Sequence, residues 1–382
     1  MRGAVYVDMD AFYVSCELLR HPELQGTPVA VSADPKEGKG RGVVLSASYE
    51  ARRFGLRSAQ PVSQAWALCP TATYLRPDFP FYQECSRKVM ALLKSRSELA
   101  RAFSIDEAAY PYELPSIADE AEGEGRTIQD RLRNELGLPS SVGIAPSLAL
   151  AKIASDRAKP GGVVAVLPGE VPAFLSSLPV RAVPGIGPVT ERGLASEGVT
   201  TVGELSELPP RELQRLLGSP RPSIVRWARG EVFEEPWPAE EGPRSLGAMH
   251  TFERDSADTE EIARGIDRLA EEILPSLRRE QLTFRTVTIR VRFSDFSQVQ
   301  RSRTLPGETE DAELLHREAR TLLHELLRAR RARTRSLGPE GNRGGPPRVR
   351  TIGVTVQGLR PLRRGQSRLD AFPPGPAPGP KV

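Results

Sequence analysis

The chain opens on a short apolar run, Ala4, Val5 and Val7, that ends abruptly in Asp8-Met9-Asp10. An apolar run bounded by charge predicts a buried strand over 3–8 that delivers two carboxylates at its end. Residues 141–145 predict a second strand, and apolar positions at helical spacing predict helices over 81–94, 126–136 and 147–157. Pro28-Val29-Ala30-Val31 and Val43-Val44-Leu45 predict two short strands between the first strand and the first of these helices. Residues 168–230 read as helical. Pro236, Pro238, Pro243 and five glutamates mark 231–243 as an exposed linker. Beyond it, 244–360 reads as strand, helix, strand, strand, helix, strand. Phe284, Thr286, Thr288, Arg290 and Arg292 alternate, imperfectly, with Arg285, Val287, Ile289, Val291 and Phe293. A period of two places the second, apolar set on a buried face and Arg290 and Arg292 on an open, basic one. Residues 338–347 read as a flexible loop, and 373–382 as a disordered Pro/Gly tail. The pattern is that of an α/β multidomain protein.

Composition narrows this. At 382 residues the chain exceeds what one hydrophobic core usually serves, so several domains are expected. With 39% hydrophobic and 27% charged residues it reads as globular. No run approaches the ~18 apolar residues of a membrane span, and the N-terminus runs straight into a strand, so neither a membrane segment nor a signal peptide is expected. Cys16, Cys69 and Cys85 lack metal-ligand spacing and read as reduced thiols of a cytoplasmic protein. The net charge of +4 is unevenly spread. Residues 243–364 hold 24 arginines against 17 acids, whereas 1–242 hold 27 basic residues against 31 acids. A basic C-terminal module on an acidic N-terminal region suits a phosphate-tracking clamp; a solvated arginine-rich face is the alternative.

The candidate chemistry lies in two carboxylate pairs. Asp8 and Asp10 close the first strand, and Asp106 and Glu107 follow Phe103 and Ile105 a hundred residues later. Crowded carboxylates raise one another's pKa, and the cost disappears when divalent cations neutralise them. Hard oxygen ligands suit Mg²⁺, which borrows further ligands from substrate phosphates. Two such ions can stabilise the attacking and leaving oxygens of an in-line phosphoryl transfer. Solvated acids at strand ends are the alternative for either pair alone.

In these segments the chain resembles the Y-family DNA polymerases, specifically their DinB-type, translesion branch. Asp8 to Glu17 (DMDAFYVSCE) resembles the first family motif and Ser104 to Ala108 (SIDEA) the second. Ser48 to Gly55 (SYEARRFG) is similar to the fingers motif. Ser141 to Ala145 (SVGIA) and Ala149 to Ser155 (ALAKIAS) are similar to palm segments, and Ala158 to Gly162 (AKPGG) to the motif that ends the palm. The motifs occur in family order over roughly residues 1–360.

The resemblance implies a right-hand-like polymerase. Its α/β palm would comprise 1–10 and 78–167, its small fingers 11–77, and its helical thumb 168–230. The linker 231–243 would lead to a βαββαβ little finger, 244–360, which lies on DNA, and a tail, 361–382. It further implies that Asp8 and Asp106 bridge two Mg²⁺ ions, that Met9 contributes its carbonyl, and that Glu107 helps hold the ion at the primer 3′-hydroxyl. Asp10 would support the site without binding metal. Tyr49, Arg52 and Lys159 would contact the incoming triphosphate. Tyr13 would be the steric gate against a 2′-hydroxyl, with Phe12 beside it in the nucleotide-binding set and packing in the core. In the thumb, Gly185-Ile186-Gly187 resembles a helix-hairpin-helix turn that grips a DNA backbone; an ordinary helix–helix turn is the alternative. Arg290, Arg292, Arg301 and Arg303 would be DNA contacts of the little finger. In the tail, Gln366, Leu369 and Phe372 resemble a sliding-clamp-binding peptide, with Pro373 replacing the usual second aromatic.

One departure stands out. After Asp-Glu-Ala the family continues with an aromatic, an apolar residue and Asp, whereas this chain has Ala109-Tyr110-Pro111-Tyr112-Glu113. Pro111 lacks a backbone donor, so the strand there is expected to be bulged, short or at an edge. Residues 119–125, acidic and containing glycine, read as a mobile loop. The expected activity is template-directed, low-fidelity, low-processivity DNA synthesis across damaged template by a monomer, with primer–template DNA, dNTPs and a sliding clamp as partners. A nucleotidyl cyclase shares the palm chemistry but has no need of the hairpin or the basic module. A non-catalytic DNA-binding relative would keep those modules and lose the carboxylates, which are all present.

Overall fold

The computed structural model describes residues 1–217, 225–226, 228–229, 231, 233, 237–238, 242–336 and 348–362. The chain divides into two compact units, Met1–Glu240 and Glu241–Val382. Gln366, Leu369 and Phe372, the 338–347 loop and most of the 231–243 linker lie outside the described residues. Among the described residues no helix is long and apolar enough to cross a membrane.

The first unit is built on a five-stranded sheet. Strand β1 (Arg2–Met9) runs through its centre, and past Arg2 every residue of it is buried. Because side chains alternate across the pleat, Ala4 and Tyr6 enter the core on one face and Val5, Val7 and Met9 the core on the other. Three short strands, β2 (Val29–Ser32), β3 (Val44–Ala47) and β4 (Thr73–Leu75), form a separate sheet after helix α1 (Phe12–Arg20). Helices α2 (Tyr49–Arg53) and α3 (Val62–Leu68) accompany it, and α4 (Phe79–Arg96) returns the chain to the main sheet. There β5 (Arg101–Ala102) and β6 (Glu107–Glu113) add on one side of β1. After α5 (Ala118–Leu136), β7 (Ser140–Ala145), α6 (Leu148–Ala158) and β8 (Val163–Ala165) complete the order β5-β6-β1-β7-β8.

One expectation changes here, and the strand at Pro111 takes the edge alternative of the three expected for it. Residues 119–125 form the first turns of α5, with Asp119 and Glu120 at the helix start, where acids oppose the backbone dipole favourably. Glu124 is fixed by Arg96 at 2.8 Å and by the Tyr110 hydroxyl at 2.6 Å, and Gly125 packs directly against Val163. The strand holding Pro111 is neither bulged nor short. It keeps unbroken register with β1 from Arg2↔Glu113 to Asp8↔Glu107. On its other side β5 reaches only Ala108 and Ala109, so Pro111 sits on an open edge, where no ladder bond is lost.

The rest of the unit is helical: α7 (Val171–Ser176), a 3₁₀ turn at Val180–Ala182, α8 (Pro188–Ser196), α9 (Val202–Glu207) and α10 (Pro210–Leu217). Their buried leucines and valines join the core under α6.

The second unit has the expected element order: β9 (Ser245–Ser256), α11 (Thr259–Arg279), β10 (Leu282–Phe293), β11 (Gln298–Thr309), α12 (Ala312–Ser336) and β12 (Val349–Gln357), with a short β13 (Arg360–Pro361) pairing to β10. The sheet order is β11-β10-β12-β9, and the apolar residues of α11 and α12 pack on one face of it. The imperfect alternation in β10 is a register shift between Phe284 and Thr286, which lets both Phe284 and Val287 reach the core.

Close packing of α6 on β7 depends on Gly143. A Cβ there would stand 2.0 Å from the Ala151 carbonyl oxygen and 2.3 Å from the Ser155 nitrogen, both backbone atoms. Gly143→Ala is therefore expected to cost about 1–3 kcal/mol or more of stability in urea denaturation. Gly123→Ala, in mid-helix with open space around it, is expected to stabilise by about 0.5–1 kcal/mol. Equal effects of the two substitutions would contradict this packing.

Candidate active site

The two carboxylate pairs meet because β1 and β6 are antiparallel neighbours in register. Asp8 lies directly opposite Glu107, and the Met9 N–H donates to the Asp106 carbonyl at 2.9 Å. By the pleat, Asp8 and Glu107 share the α6 face with Ala4, Tyr6 and Ala109. Ser104 shapes the turn: its hydroxyl accepts from the N–H groups of Asp106 and Glu107 and donates to the Asp106 carboxylate at 2.5 Å.

Helix α6 answers this negative charge with Lys152, and Lys159, the residue that caps the helix C-terminus, supplies a second ammonium. Lys159 donates to Asp8 at 2.6 Å and to Asp156 at 2.9 Å. Lys152 contacts Glu107 and lies 3.3 Å from the Tyr6 hydroxyl. Burial raises the Asp8 pKa to about 7 despite Lys159, with Glu107 and Asp106 adding to the rise. Burial also pushes Glu107 upward, but the Lys152 ammonium and hydrogen bonds from Tyr6 and Asp8 hold it below the usual carboxylate range. Burial pulls Lys159 down, and its two carboxylate partners more than offset that.

Asp10 plays a different part. It is 3% exposed and accepts from Ser141 Oγ at 2.9 and 3.1 Å, from the Gly161 N–H at 2.8 Å and from the Tyr49 hydroxyl at 3.0 Å. It thus ties α2 to the turn that follows Lys159. Burial, reinforced by Asp10, raises the Tyr49 pKa to about 12. The next residue, Ala11, has φ 46°, a left-handed turn that starts α1 with Phe12 pointing into the core and Tyr13 facing outward. The Tyr13 ring packs on Tyr82, with centroids 4.8 Å apart, and edge-on to Phe79 at 6.2 Å. Arg52 bonds the Ala47 carbonyl at 3.0 Å, with its guanidinium 4.5 Å over the Tyr49 ring.

A cleft of about 120 Å³ collects these groups. Asp8, Met9, Phe12, Tyr13, Tyr49, Arg52, Asp106 and Lys159 all line it, together with Leu45, Ser46 and Ser58. Glu107 stands beside it. The chemistry is that of a phosphate-bearing ligand with divalent cations: hard oxygens at the floor, cationic and hydroxyl donors along one wall, and an aromatic ring opposite. Among the described residues no three His, Cys, Asp or Glu side chains are already closed around one point; lysine ammoniums stand against Asp8 and Glu107. The donor set fits hard cations, and the lysines hold the charge that the carboxylates draw. Ser104 and Lys152 carried no role in the sequence reading, although the Ser-x-Asp-Glu turn and the lysine pair seven residues apart were visible there.

The remaining predicted residues lie elsewhere. Gly185, with φ 88°, and buried Ile186 make the turn before α8, and Gly187 precedes that helix with nothing within 4 Å of where a Cβ would be. This turn follows a 3₁₀ turn rather than a full helix. In the second unit, Arg290 and Arg292 stand on the open face opposite Gln300 and Gln298. Arg301 and Arg303 are separated from them: they pair with Ile289 and Val287, on the helix-covered face. Arg303 is held there by Glu318 at 2.8 Å and Glu325 at 2.6 Å, which corrects its grouping with the open-face arginines. Cross-strand register gives the open face Thr286, Thr288, Arg290, Arg292, Gln298, Gln300, Ser302 and Thr304 on β10 and β11. Thr251, Met249, Gly247 and Ser245 of β9 pair with Thr351, Gly353, Thr355 and Gln357 of β12 on the same face. None of these sixteen positions is acidic.

Comparison with known proteins agrees with this geometry. The impB/mucB/samB family matches residues 7–156, and that family's C-terminal domain matches residues 243–369. The chain is 41% identical to DNA polymerase IV of Methanoculleus marisnigri, over 97% of this chain and 98% of that protein. It is 37% identical to DNA polymerase IV 2 of Methanosarcina mazei, over 97% and 96% respectively. A solved Y-family DNA polymerase chimera of Dbh and Dpo4 superposes with a TM-score of 0.80 at 24% identity, covering 94% of this chain and all of that one. The two carboxylate pairs thus stand in a fold shared with a Y-family DNA polymerase and a sequence context shared with DNA polymerase IV proteins, and the chain belongs to the impB/mucB/samB family.

Proposed function

We propose that this chain is a template-directed DNA polymerase that adds deoxynucleotides to a primer 3′ end and serves translesion synthesis in DNA damage tolerance. The observation that carries the reading is that Asp8 and Asp106 line one cleft with Tyr13, Tyr49, Arg52 and Lys159, while Glu107 stands opposite Asp8 in the ladder. Primer–template DNA and a dNTP are the substrates. Held by the three carboxylates and the Met9 carbonyl, divalent cations, two Mg²⁺ in this reading, would neutralise charge on the attacking and leaving oxygens. Lys159 and Arg52 take the triphosphate and offset charge building on pyrophosphate. Asp10 keeps Tyr49 and the Gly161 turn in register for that task. Tyr13, braced by Tyr82 and Phe79, leaves no room for a 2′-hydroxyl. Gly185-Ile186-Gly187 offers backbone N–H groups to a DNA phosphate, and the acid-free sheet face of the second unit tracks the duplex backbone. The tail peptide Gln366, Leu369 and Phe372 docks on a sliding clamp.

Primer extension with Mg²⁺ and four dNTPs tests the reading. Asp106→Ala with Glu107→Ala is expected to slow extension by about 10²-fold or more while DNA affinity changes little. Retained extension, or an active cyclase in its place, would overturn it. Tyr13→Ala is expected to admit ribonucleotides with little loss of dNTP insertion; unchanged sugar discrimination would remove Tyr13 as the gate. Arg290→Ala with Arg292→Ala is expected to reduce the slope of log affinity against log salt by about 2, while Arg303→Ala leaves it unchanged. The reverse pattern would put DNA on the helical face.

The Asp8 carboxyl gives a pH signature. With its folded pKa at about 7, the folded chain keeps a proton that the unfolded chain loses near pH 4. Stability therefore falls as pH rises through that window. In EDTA, wild type is expected to lose about 1–3 kcal/mol relative to Asp8→Asn between pH 4 and 7, since one pKa unit is about 1.4 kcal/mol. A pH-independent difference in urea denaturation would mean that Asp8 is ionised throughout.

A further inference from the structure

Lys152, Tyr6 and Phe103 form a group that the roles above leave unused. The Lys152 ammonium touches Glu107 and stands 5.0 Å over the Tyr6 ring, and Phe103 stacks on that ring at 5.9 Å with an interplanar angle of 26°. Tyr6 is 2% exposed and fixed, whereas the Lys152 side chain is 30% exposed and can be reached from solution. None of the three lines the cleft that holds Tyr49, Arg52 and Lys159.

Direction decides what this flank is for. In-line phosphoryl transfer sets the attacking oxygen and the leaving group on opposite sides of the phosphorus. With the triphosphate against Tyr49, Arg52 and Lys159, the attacking 3′-hydroxyl must approach from the other side of Asp8 and Asp106, where Glu107 and Lys152 stand. A primer end arriving there brings a phosphodiester, and Lys152 is the cation beside it. We propose that Lys152 is the primer-terminus residue of this site. Its ammonium grips the phosphodiester joining the last two primer nucleotides, and Tyr6, buttressed by Phe103, aims it. The contact to Glu107 is the resting partner that Lys152 exchanges for that phosphodiester. This inference rests on the polymerase reading.

A charge-neutral primer tests it without relying on a variant. Replacing that single phosphodiester by a methylphosphonate removes the charge that Lys152 would grip. Wild type is expected to lose about tenfold or more in extension efficiency, the loss of one charge-assisted hydrogen bond. Its equilibrium affinity for the same primer–template ended by a dideoxynucleotide, read by fluorescence anisotropy, is expected to fall as well, and the dNTP KM to stay unchanged. Lys152→Met is expected to be slow on the natural primer and to show no further loss on the neutral one, whereas Lys152→Arg keeps the penalty. A full penalty in Lys152→Met would show that the lysine only positions Glu107, and would overturn the proposal. So would a wild type indifferent to the neutral linkage. Failure to extend any primer would overturn the polymerase reading and the subsite with it.

Discussion

The structure turns on one electrostatic constraint: Asp8, at the buried end of the central strand, has Glu107 and Asp106 as neighbours. Asp8 is 5% exposed, Glu107 lies opposite it in the ladder, and Asp106 is tied to the same spot through Met9. Burial, with Glu107 and Asp106 adding to it, raises the Asp8 pKa to about 7 even against the Lys159 ammonium, so positive charge beside the cluster favours its ionised form. Lys152 of helix α6 and Lys159 at its C-cap supply that charge, and the close seat of the helix on β7, over a glycine, brings both within reach. A site that holds two ammoniums against its carboxylates is poised to exchange them for harder cations and for substrate phosphates.

The fourth acid shows how sharply position divides roles. Asp10 follows the end of β1, two residues past Asp8, yet the hydrogen bonds to its carboxylate come from Ser141, Gly161 and Tyr49. It serves as a tie between α2 and the turn after α6. In the proposed reading the site has two flanks: Tyr49, Arg52 and Lys159 toward a triphosphate, and the Lys152–Tyr6–Phe103 group on the Glu107 side. The second unit contributes sixteen paired open-face positions, hydroxyls, amides, glycines, Met249 and two arginines, none of them acidic, a surface suited to a polyanion whose sequence need not be read.

Much of this was legible in the chain because local pattern and chemistry coincide. The Ala4–Val7 run ending in Asp8, the Asp106-Glu107 pair and the strand–helix order of 244–360 each carried one meaning at short range. What escaped depended on partners distant in sequence. Which of the three alternatives Pro111 would take could not be read, because its edge position comes from the shortness of β5, which only the sheet reveals. Residues 119–125 read as a loop because the partners of Glu124, Arg96 and Tyr110, lie outside that window. Arg303 looked equivalent to Arg290 until its pairing with Val287 and the acids of α12 placed it on the other face. Lys152 escaped because its partner, Glu107, is 45 residues away.

Anomalous scattering from Mn²⁺ in crystals of the chain with primer–template and a non-hydrolysable dNTP tests the central claim most directly. The expected result is manganese against Asp8, Asp106 and Glu107, with the Lys159 and Lys152 ammoniums withdrawn from Asp8 and Glu107 to phosphates on opposite flanks. Manganese bound elsewhere, with both lysines still paired to those carboxylates, would contradict it.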